Sequence, residues 1–471
     1  MKTVKVLFRS ARWLLVPLWV STCAAEEVPA AYRAQWNDKV NADIDARIEK
    51  YRKADSQVFG FVPGTEVKVD QLTHSFQFGS HIFNLNQLGN GEWNRLYEAT
   101  FTNLWNAATV PFYWKNMEPV EGQIRYAGGV HDTKEFWDSV AAMSPKEKWE
   151  KFVEYRRVAP DVALDFCERH GLSAHGHVMI YGCEAAHPAW TVAENDRNLL
   201  AARYERRIRQ LGDYYGGRLP QWDVVNESVD RSCKVDGFVH DRVMWGNPKF
   251  IVPEDYTYRC FKWAEEAFPK DVRFAINDSW REIYVPFAKQ MIDRGAKVDV
   301  VGIQMHIFKA QQARDIGEGR PCIANGTSWA PEDQVGMLEK LDALGRPIHL
   351  SEITIPAVDD TLPEQERQAR MIRDNYRLWF SWPSIYRITY WNLVDYTYHK
   401  ESLSSGLFTK DMKKKLAYHA LDRLVNHEWR THLCVVADGQ GKICFRGFRG
   451  RYRLSWKDAE GNGCTRLVEV K

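Results

Sequence analysis

A chain of 471 residues, 45% hydrophobic and 27% charged, can form one large domain with appendages or two domains; its composition is not that of a disordered or fibrous protein. Its 64 basic and 62 acidic residues leave a formal charge of +2, which offers nothing to a polyanionic partner and points away from nucleic acid.

Met1 to Ala25 reads as an export signal. Lys2, Lys5, Arg9 and Arg12 come without any acid, an apolar run follows from Trp13 to Val20, and small residues lead to Ala25. That run is too short to span a bilayer comfortably. The expectation is a monomer exported to the periplasm or secreted, with a lipid anchor at Cys23 as the lesser alternative. Of the nine cysteines, Cys183 and Cys233 fall just beyond predicted strand ends, while Cys434, Cys444 and Cys464 cluster near the C-terminus. Large chains need disulfides less than small ones, so free buried thiols are the default.

Residues 26–73 carry a helix and then strands. Asn37 to Arg52 has a helical pattern with Ile44 and Ile48 four apart, and Val58 to Val62 and Glu66 to Val69 read as strands around Pro63-Gly64. Residues 74–430 alternate strand and helix, the pattern of a parallel sheet with crossover helices. The strands are expected at His74–Gly79, Phe101–Ala107, Ser173–Tyr181, Trp222–Val225, Arg273–Ile276, Val298–Met305, Ile348–Ser351 and Arg387–Trp391. Between the third and fourth, Leu200, Tyr204, Ile208, Leu211 and Tyr215 recur at helical steps, stopped by Gly216-Gly217. Met337, Leu341 and Leu344 repeat the pattern before Gly345 and Pro347. Eight such units predict an α/β fold, a (β/α)₈ TIM barrel with insertions.

Residues 431–471 change character. His432–Ala437, Lys442–Phe448, Arg451–Lys457 and Thr465–Val470 are short strands punctuated by Asp438-Gly439 and Glu460-Gly461-Asn462-Gly463. They predict an antiparallel tail that packs with the strands near 58–69 as a small β appendage. Arg446, Arg449, Arg451 and Arg453, interleaved with Phe445, Phe448 and Tyr452, read as a solvated sheet face.

The chemistry sits at strand ends. The apolar run Trp222 to Val225 breaks into Asn226-Glu227-Ser228, and Ile348 to Ser351 runs into Glu352. A carboxyl at the C-terminal end of a barrel strand reads as catalytic. Alone, each glutamate is equally well a rim ion pair. Together they match a retaining glycosidase, which needs two carboxyls about 5–5.5 Å apart, one as nucleophile and one as acid then base. The same rim gathers His177 on the third strand, Asn277-Asp278 on the fifth, Gln304 and His306 on the sixth and Trp391 on the eighth. Sugars bind through hydroxyl hydrogen bonds and an aromatic face, and nineteen tryptophans supply such faces, most of them for packing. No phosphate loop, dinucleotide fingerprint or zinc spacing is present, so neither cofactor nor metal is expected.

Trp222-Asp-Val-Val-Asn-Glu227, Gly302-Ile303-Gln304-Met305-His306 and Leu350-Ser-Glu352 resemble the signature segments of glycoside hydrolase family 10, the xylanase family. So do Gly176-His177 with Pro188-Ala-Trp190, Ile276-Asn277-Asp278, and Tyr390-Trp391 with Asp395. The resemblance spans roughly residues 70–425 and implies the TIM barrel and an endo-β-1,4-xylanase activity on a plant-type polysaccharide. It also implies roles: Glu227 as acid/base, Glu352 as nucleophile, Asn226 on the sugar 2-hydroxyl, Gln304 and His306 ordering the nucleophile, and His177 and Trp391 lining the same subsite.

The chain departs from the family where the sugar is gripped. Counting back from Glu118-Pro119 puts Tyr113, not Lys115, at the position of the family's substrate-binding lysine. On the third strand the usual Trp-His reads Tyr181-Gly182, and the second tryptophan after the eighth strand is replaced around Tyr398-His399. This is the pattern of a divergent member. Two alternatives stay open: a retaining hydrolase of another β-linked glycan, and a catalytically silent carbohydrate-binding barrel.

Overall fold

The computed structural model describes residues 27–229, 250–395 and 404–471. The segment 1–25 expected to act as an export signal, with Cys23, as well as Cys233 and Tyr398-His399, lies outside the described residues. The first long helix, Asp38–Arg52, starts where the side chain of Asn37 accepts from the Val40 amide at 3.1 Å, and it buries Ile44 and Ile48. Two strands follow, β1 (Lys53–Phe59) and β2 (Glu66–His74).

The parallel strands come next: β3 (Gln77–His81), β4 (Ala107–Pro111), β5 (Ser173–His177), β6 (Ile180–Tyr181), β7 (Gln221–Asn226), β8 (Arg273–Ser279) and β9 (Val300–His306). A small hairpin, β10 (Ile323–Ala324) with β11 (Thr327–Ser328), precedes β12 (Ile348–Thr354) and β13 (Ile385–Tyr390). The sheet order is β5-β4-β3-β13-β12-β9-β8-β7-β6, and a further pairing of β5 with β7 closes it. β5 and β6 are two runs at one strand position, Gly176 facing Trp222 and Ile180 facing Val225. The result is a closed eight-stranded (β/α)₈ barrel. Every residue of β7, β9 and β12 is buried, as expected for strands covered on both faces.

The second barrel strand is not where the sequence pattern put it. Residues 101–104 complete the helix Gly91–Leu104, and the strand is Ala107–Pro111. Asn90 caps that helix by accepting from Glu92 and Trp93, and Tyr97, Phe101 and Leu104 form its buried stripe. A short apolar run does not by itself distinguish a helix end from a strand. The first barrel strand also starts later than expected, at Gln77, because His74 ends β2.

The predicted helix between the third and fourth barrel strands is Arg197–Tyr215, capped by Asp196 and ended at Gly216, with Leu200, Tyr204, Ile208, Leu211 and Tyr215 all buried. Trp222 is fully buried in the barrel wall, and Gly176 makes room for it: a Cβ there would lie 2.4 Å from the indole ring.

The tail forms β14 (His432–Val436), β15 (Lys442–Phe448), β16 (Gly450–Lys457) and β17 (Gly463–Val470). β14, β2, β16 and β17 make one antiparallel sheet, and β15 pairs with β1. This is the appendage the turn pattern predicts, with Phe61, Val67, Val69, Ile443, Tyr452 and Leu454 as its own core. Arg446 is tied to Glu49 and Asp55 rather than standing clear in solvent. Cys167, Cys183, Cys260, Cys322, Cys434, Cys444 and Cys464 are free thiols. Among the described residues no helix is long and apolar enough to cross a membrane.

Candidate active site

Four adjacent strands, β12, β9, β8 and β7, bring Glu352, Gln304, Asn277 and Asn226 side by side. Register holds them level: Glu352 is opposite Gln304, and Asn226 is opposite Asn277. Glu227 follows Asn226 at the strand end, with its backbone amide donating to the Asn277 carbonyl at 2.8 Å. Its φ of 49° is left-handed, a conformation that costs a non-glycine residue about 1–2 kcal/mol and turns the side chain off the strand path.

The two glutamates, with β9 and β8 between their strands at the wall, converge on one amide. Gln304 Nε2 donates to Oε1 of Glu227 at 3.1 Å and to Oε1 of Glu352 at 3.0 Å. Those oxygens are therefore held within about 6 Å, nearer the ~5–5.5 Å of a retaining pair than the ~6.5–9.5 Å of an inverting one.

Each carboxylate has its own further support. For Glu352, Oε1 also accepts from Asn277 Nδ2 at 2.9 Å, and Oε2 lies 3.2 Å from His306 Nε2. The Thr354 hydroxyl, 2.8 Å from His306 Nδ1, fits the tautomer whose Nε2 proton faces Glu352. Asn277 is itself fixed: its Oδ1 accepts from Ser351 Oγ at 2.5 Å, and its Nδ2 donates to Asn226 Oδ1 at 2.7 Å. Gly302 clears the space, since a Cβ there would sit 2.5 Å from Asn277 Oδ1. For Glu227, Oε2 accepts from the Tyr181 hydroxyl at 2.6 Å, and Oε1 is 3.4 Å from Asn226 Nδ2.

A second network lies on β5 and β7. Asp223 Oδ2 lies 2.8 Å from His175 Nε2 and 2.7 Å from His177 Nδ1, and His177 Nε2 is 3.1 Å from the Tyr113 hydroxyl. Burial alone would neutralise Asp223, but the two imidazoles hold its carboxyl well below the usual range. Burial works against the charged form of His177 too; the Asp223 hydrogen bond and the fields of Glu352 and Glu227 outweigh it, so its pKa rises. Burial and nearby carboxylates push the phenols of Tyr113 and Tyr181 up, so both remain hydroxyl groups.

Trp391 follows β13 and is buried among rings: His81 at 5.1 Å, Phe83 at 5.4 Å, His177 at 5.5 Å and His306 at 6.2 Å. The Arg157 guanidinium lies over Phe83 and Tyr113. Behind Glu227, Asp278 accepts from the amides of Val229 and Ser279, each at 2.8 Å; burial first, with the Glu227 charge adding, pushes its carboxyl up to about 8.

All eight residues expected at the site thus lie together at the C-terminal strand ends, and Tyr113, not Lys115, reaches His177. Sequence reasoning passed over Asp223, Asn277 as a support of Glu352, His81, Phe83 and Arg157, and it noted Tyr181 only as a departure. Asp223 carried a signal, a charged residue inside a strand otherwise apolar. Among the described residues no group of three or more His, Cys, Asp or Glu side chains is arranged to hold a metal ion.

Comparison with known proteins gives a consistent picture. A family model described as Glycosyl hydrolase family 10 matches residues 137–423. The anti-sigma-I factor RsgI6 of Acetivibrio thermocellus is 25% identical over 300 residues, covering 63% of this chain and 34% of that protein. An endo-1,4-beta-xylanase A of Caldicellulosiruptor sp. is 27% identical over 288 residues, 55% of this chain and 38% of that one. The chain therefore spans little more than a third of the length of either curated relative. Xylanase 10B of Thermotoga petrophila, solved with xylobiose, superposes with a TM-score of 0.55 at 20% identity, covering 75% of this chain and 95% of that one, a likeness of fold.

Proposed function

The chain belongs to glycosyl hydrolase family 10, and from that premise we propose that it is a retaining β-glycoside hydrolase acting within a β-1,4-linked, xylan-type backbone. One observation carries the reading: the Gln304 amide donates to both Glu227 and Glu352, which supports reading the two carboxyls as a pair that flanks one sugar. Glu352, oriented by Asn277, Gln304 and His306, attacks the anomeric carbon while Glu227 gives a proton to the departing oxygen. Glu227 then takes a proton from the water that releases the sugar from Glu352. Asn226 is the partner of the sugar's 2-hydroxyl, and Trp391 with His177 and Tyr113 forms the wall on the glycone side. The basic and apolar segment 1–25 supports export to the periplasm or beyond.

Assays of Glu352→Gln and Glu227→Ala on xylan and on an aryl glycoside with a good leaving group test this. The first variant is expected to be inactive on both. The second loses xylan hydrolysis, still forms the intermediate from the aryl substrate, and accepts azide in place of water. Wild-type rates in both variants overturn the assignment.

A second reading, hydrolysis of another β-linked glycan by the same two carboxyls, is favoured by Tyr113. Its hydroxyl engages His177 and its ring lies under the Arg157 guanidinium, a wall of different chemistry from a lysine. Turnover across a polysaccharide panel separates the two.

A further inference from the structure

We propose that Tyr181 is the positioning residue through which Glu227 alternates between proton donor and proton acceptor, and that it assigns the travelling proton to Oε2. The inference rests on the reading of Glu227 as acid/base and adds a residue to it.

Three donors of the described residues meet this carboxyl, and they are not equivalent. Oε1 faces two amide groups, Gln304 Nε2 at 3.1 Å and Asn226 Nδ2 at 3.4 Å. Oε2 faces the Tyr181 hydroxyl at 2.6 Å. An amide N–H can only donate, so a proton placed on Oε1 would point at hydrogens already there. A hydroxyl donates or accepts, and turns about one bond to change role. Gln304 is further constrained because the same nitrogen also donates to Glu352. Protonation at Oε2 leaves both of these amide contacts in place and asks the Tyr181 hydroxyl to turn.

The chemistry then closes on Oε2. In the first step the Glu352 oxygen bonds to the anomeric carbon, the bond to the leaving oxygen breaks, and that oxygen takes the proton from Oε2. Tyr181 turns its hydrogen onto the carboxylate left behind. In the second step a water oxygen bonds to the anomeric carbon, the bond to Glu352 breaks, and the water's proton returns to Oε2. Tyr181 turns back to accept.

The phenol is built to hold this place. Burial and the Glu227 charge keep it protonated. Its own residue is pinned: Tyr181 pairs with Asn226 across β6 and β7, and its carbonyl accepts from the Cys183 amide at 2.7 Å. The adjoining Gly182 packs so closely that a Cβ would lie 2.7 Å from the Tyr256 hydroxyl.

Tyr181→Phe keeps the ring and removes only the hydroxyl. It is assayed beside wild type on xylo-oligosaccharides and on aryl glycosides spanning a range of leaving-group acidity, with thermal melting to check the fold. The expected result is a loss of about 10- to 100-fold in kcat/KM on oligosaccharides, shrinking to about twofold or less for a dinitrophenyl leaving group that needs no proton. The plot of log kcat/KM against leaving-group pKa steepens, and the slower second step enlarges the burst of aryl product. An equal loss on every substrate, or no loss, overturns the inference while the assignment of the reaction stands. Absence of wild-type turnover on any β-glycoside overturns both.

Discussion

Asn277 donates its side-chain amide to Oε1 of Glu352 at 2.9 Å from the neighbouring region of the rim, and it donates at the same time to Oδ1 of Asn226 at 2.7 Å. One buried amide thus fixes the proposed nucleophile and the residue beside the proposed acid in a single geometry. Asn277→Ala removes both bonds and leaves Ser351 Oγ without the acceptor it meets at 2.5 Å. A hydrogen bond to a charged group contributes ~1.5–3 kcal/mol, so kcat is expected to fall about 10- to 100-fold with a smaller change in KM. Steady-state kinetics on an oligosaccharide check it; an unchanged kcat removes Asn277 from the catalytic framework.

What the sequence makes legible is what sits at the end of an apolar run. Glu227, Glu352, Gln304 and His306 all stand where a buried strand stops, and the pattern marks such places without tertiary information. Tyr113 was reachable only by counting back from Glu118-Pro119. The rest depends on register and on side-chain direction. The predicted barrel puts β8 between β7 and β9, but the bonds of the Asn277 amide to Glu352 and Asn226 stay hidden until the level of each strand is known. Tyr181 is likewise mute as a letter: its meaning is a hydroxyl 2.6 Å from Glu227. The second barrel strand was misplaced because Phe101 to Leu104 is apolar both as a helix stripe and as a strand.

Asp223 makes His177 a different imidazole from a solvated one. Its carboxylate, 2.7 Å from Nδ1, is the leading contribution that raises the His177 pKa against burial. Asp223→Asn is expected to let His177 lose its proton at lower pH than in wild type, which imidazole NMR titration measures. The stability effect has a defined sign. Asp223 has a depressed folded pKa, so its contribution is present above the unfolded value near ~3.9 and is lost as pH falls through the folded value. Wild type should therefore exceed the variant most at neutral pH, with the gap closing below pH ~4.

Asp278 has the opposite sign. Its carboxyl is raised to about 8 by burial, with the Glu227 charge adding to the effect. A group whose folded pKa lies above its unfolded one gives stability that is full below the unfolded value and declines as pH rises through the folded one. The window runs from pH ~3.9 to about 8. Asp278→Asn retains one acceptor for the amides of Val229 and Ser279 and removes the titration. Denaturant unfolding across that window is expected to show wild-type stability falling relative to the variant by about 1.4 kcal/mol per pH unit. Parallel curves contradict the raised carboxyl.

Lys415 and Asp395 form an ion pair with both side chains wholly buried, Nζ lying 3.2 Å from each carboxylate oxygen. The pair also ties down backbone on both sides: Lys415 donates to the Ser404 carbonyl at 3.1 Å, and Asp395 accepts from the Gly406 amide at 2.7 Å. Burial pushes the Asp395 carboxyl up to about 6, with Lys415 as the main opposing influence, so the pair holds by geometry and by its backbone bonds against a desolvation cost. Removing one partner leaves the other charge buried alone. Asp395→Ala is expected to lose ~3–5 kcal/mol of stability, whereas the double variant Asp395→Leu, Lys415→Met should recover a large part of that loss because no orphan charge remains. Thermal and denaturant unfolding of the two proteins decide it: equal losses in the single and double variants locate the stabilisation in the backbone ties and not in the compensation of charge.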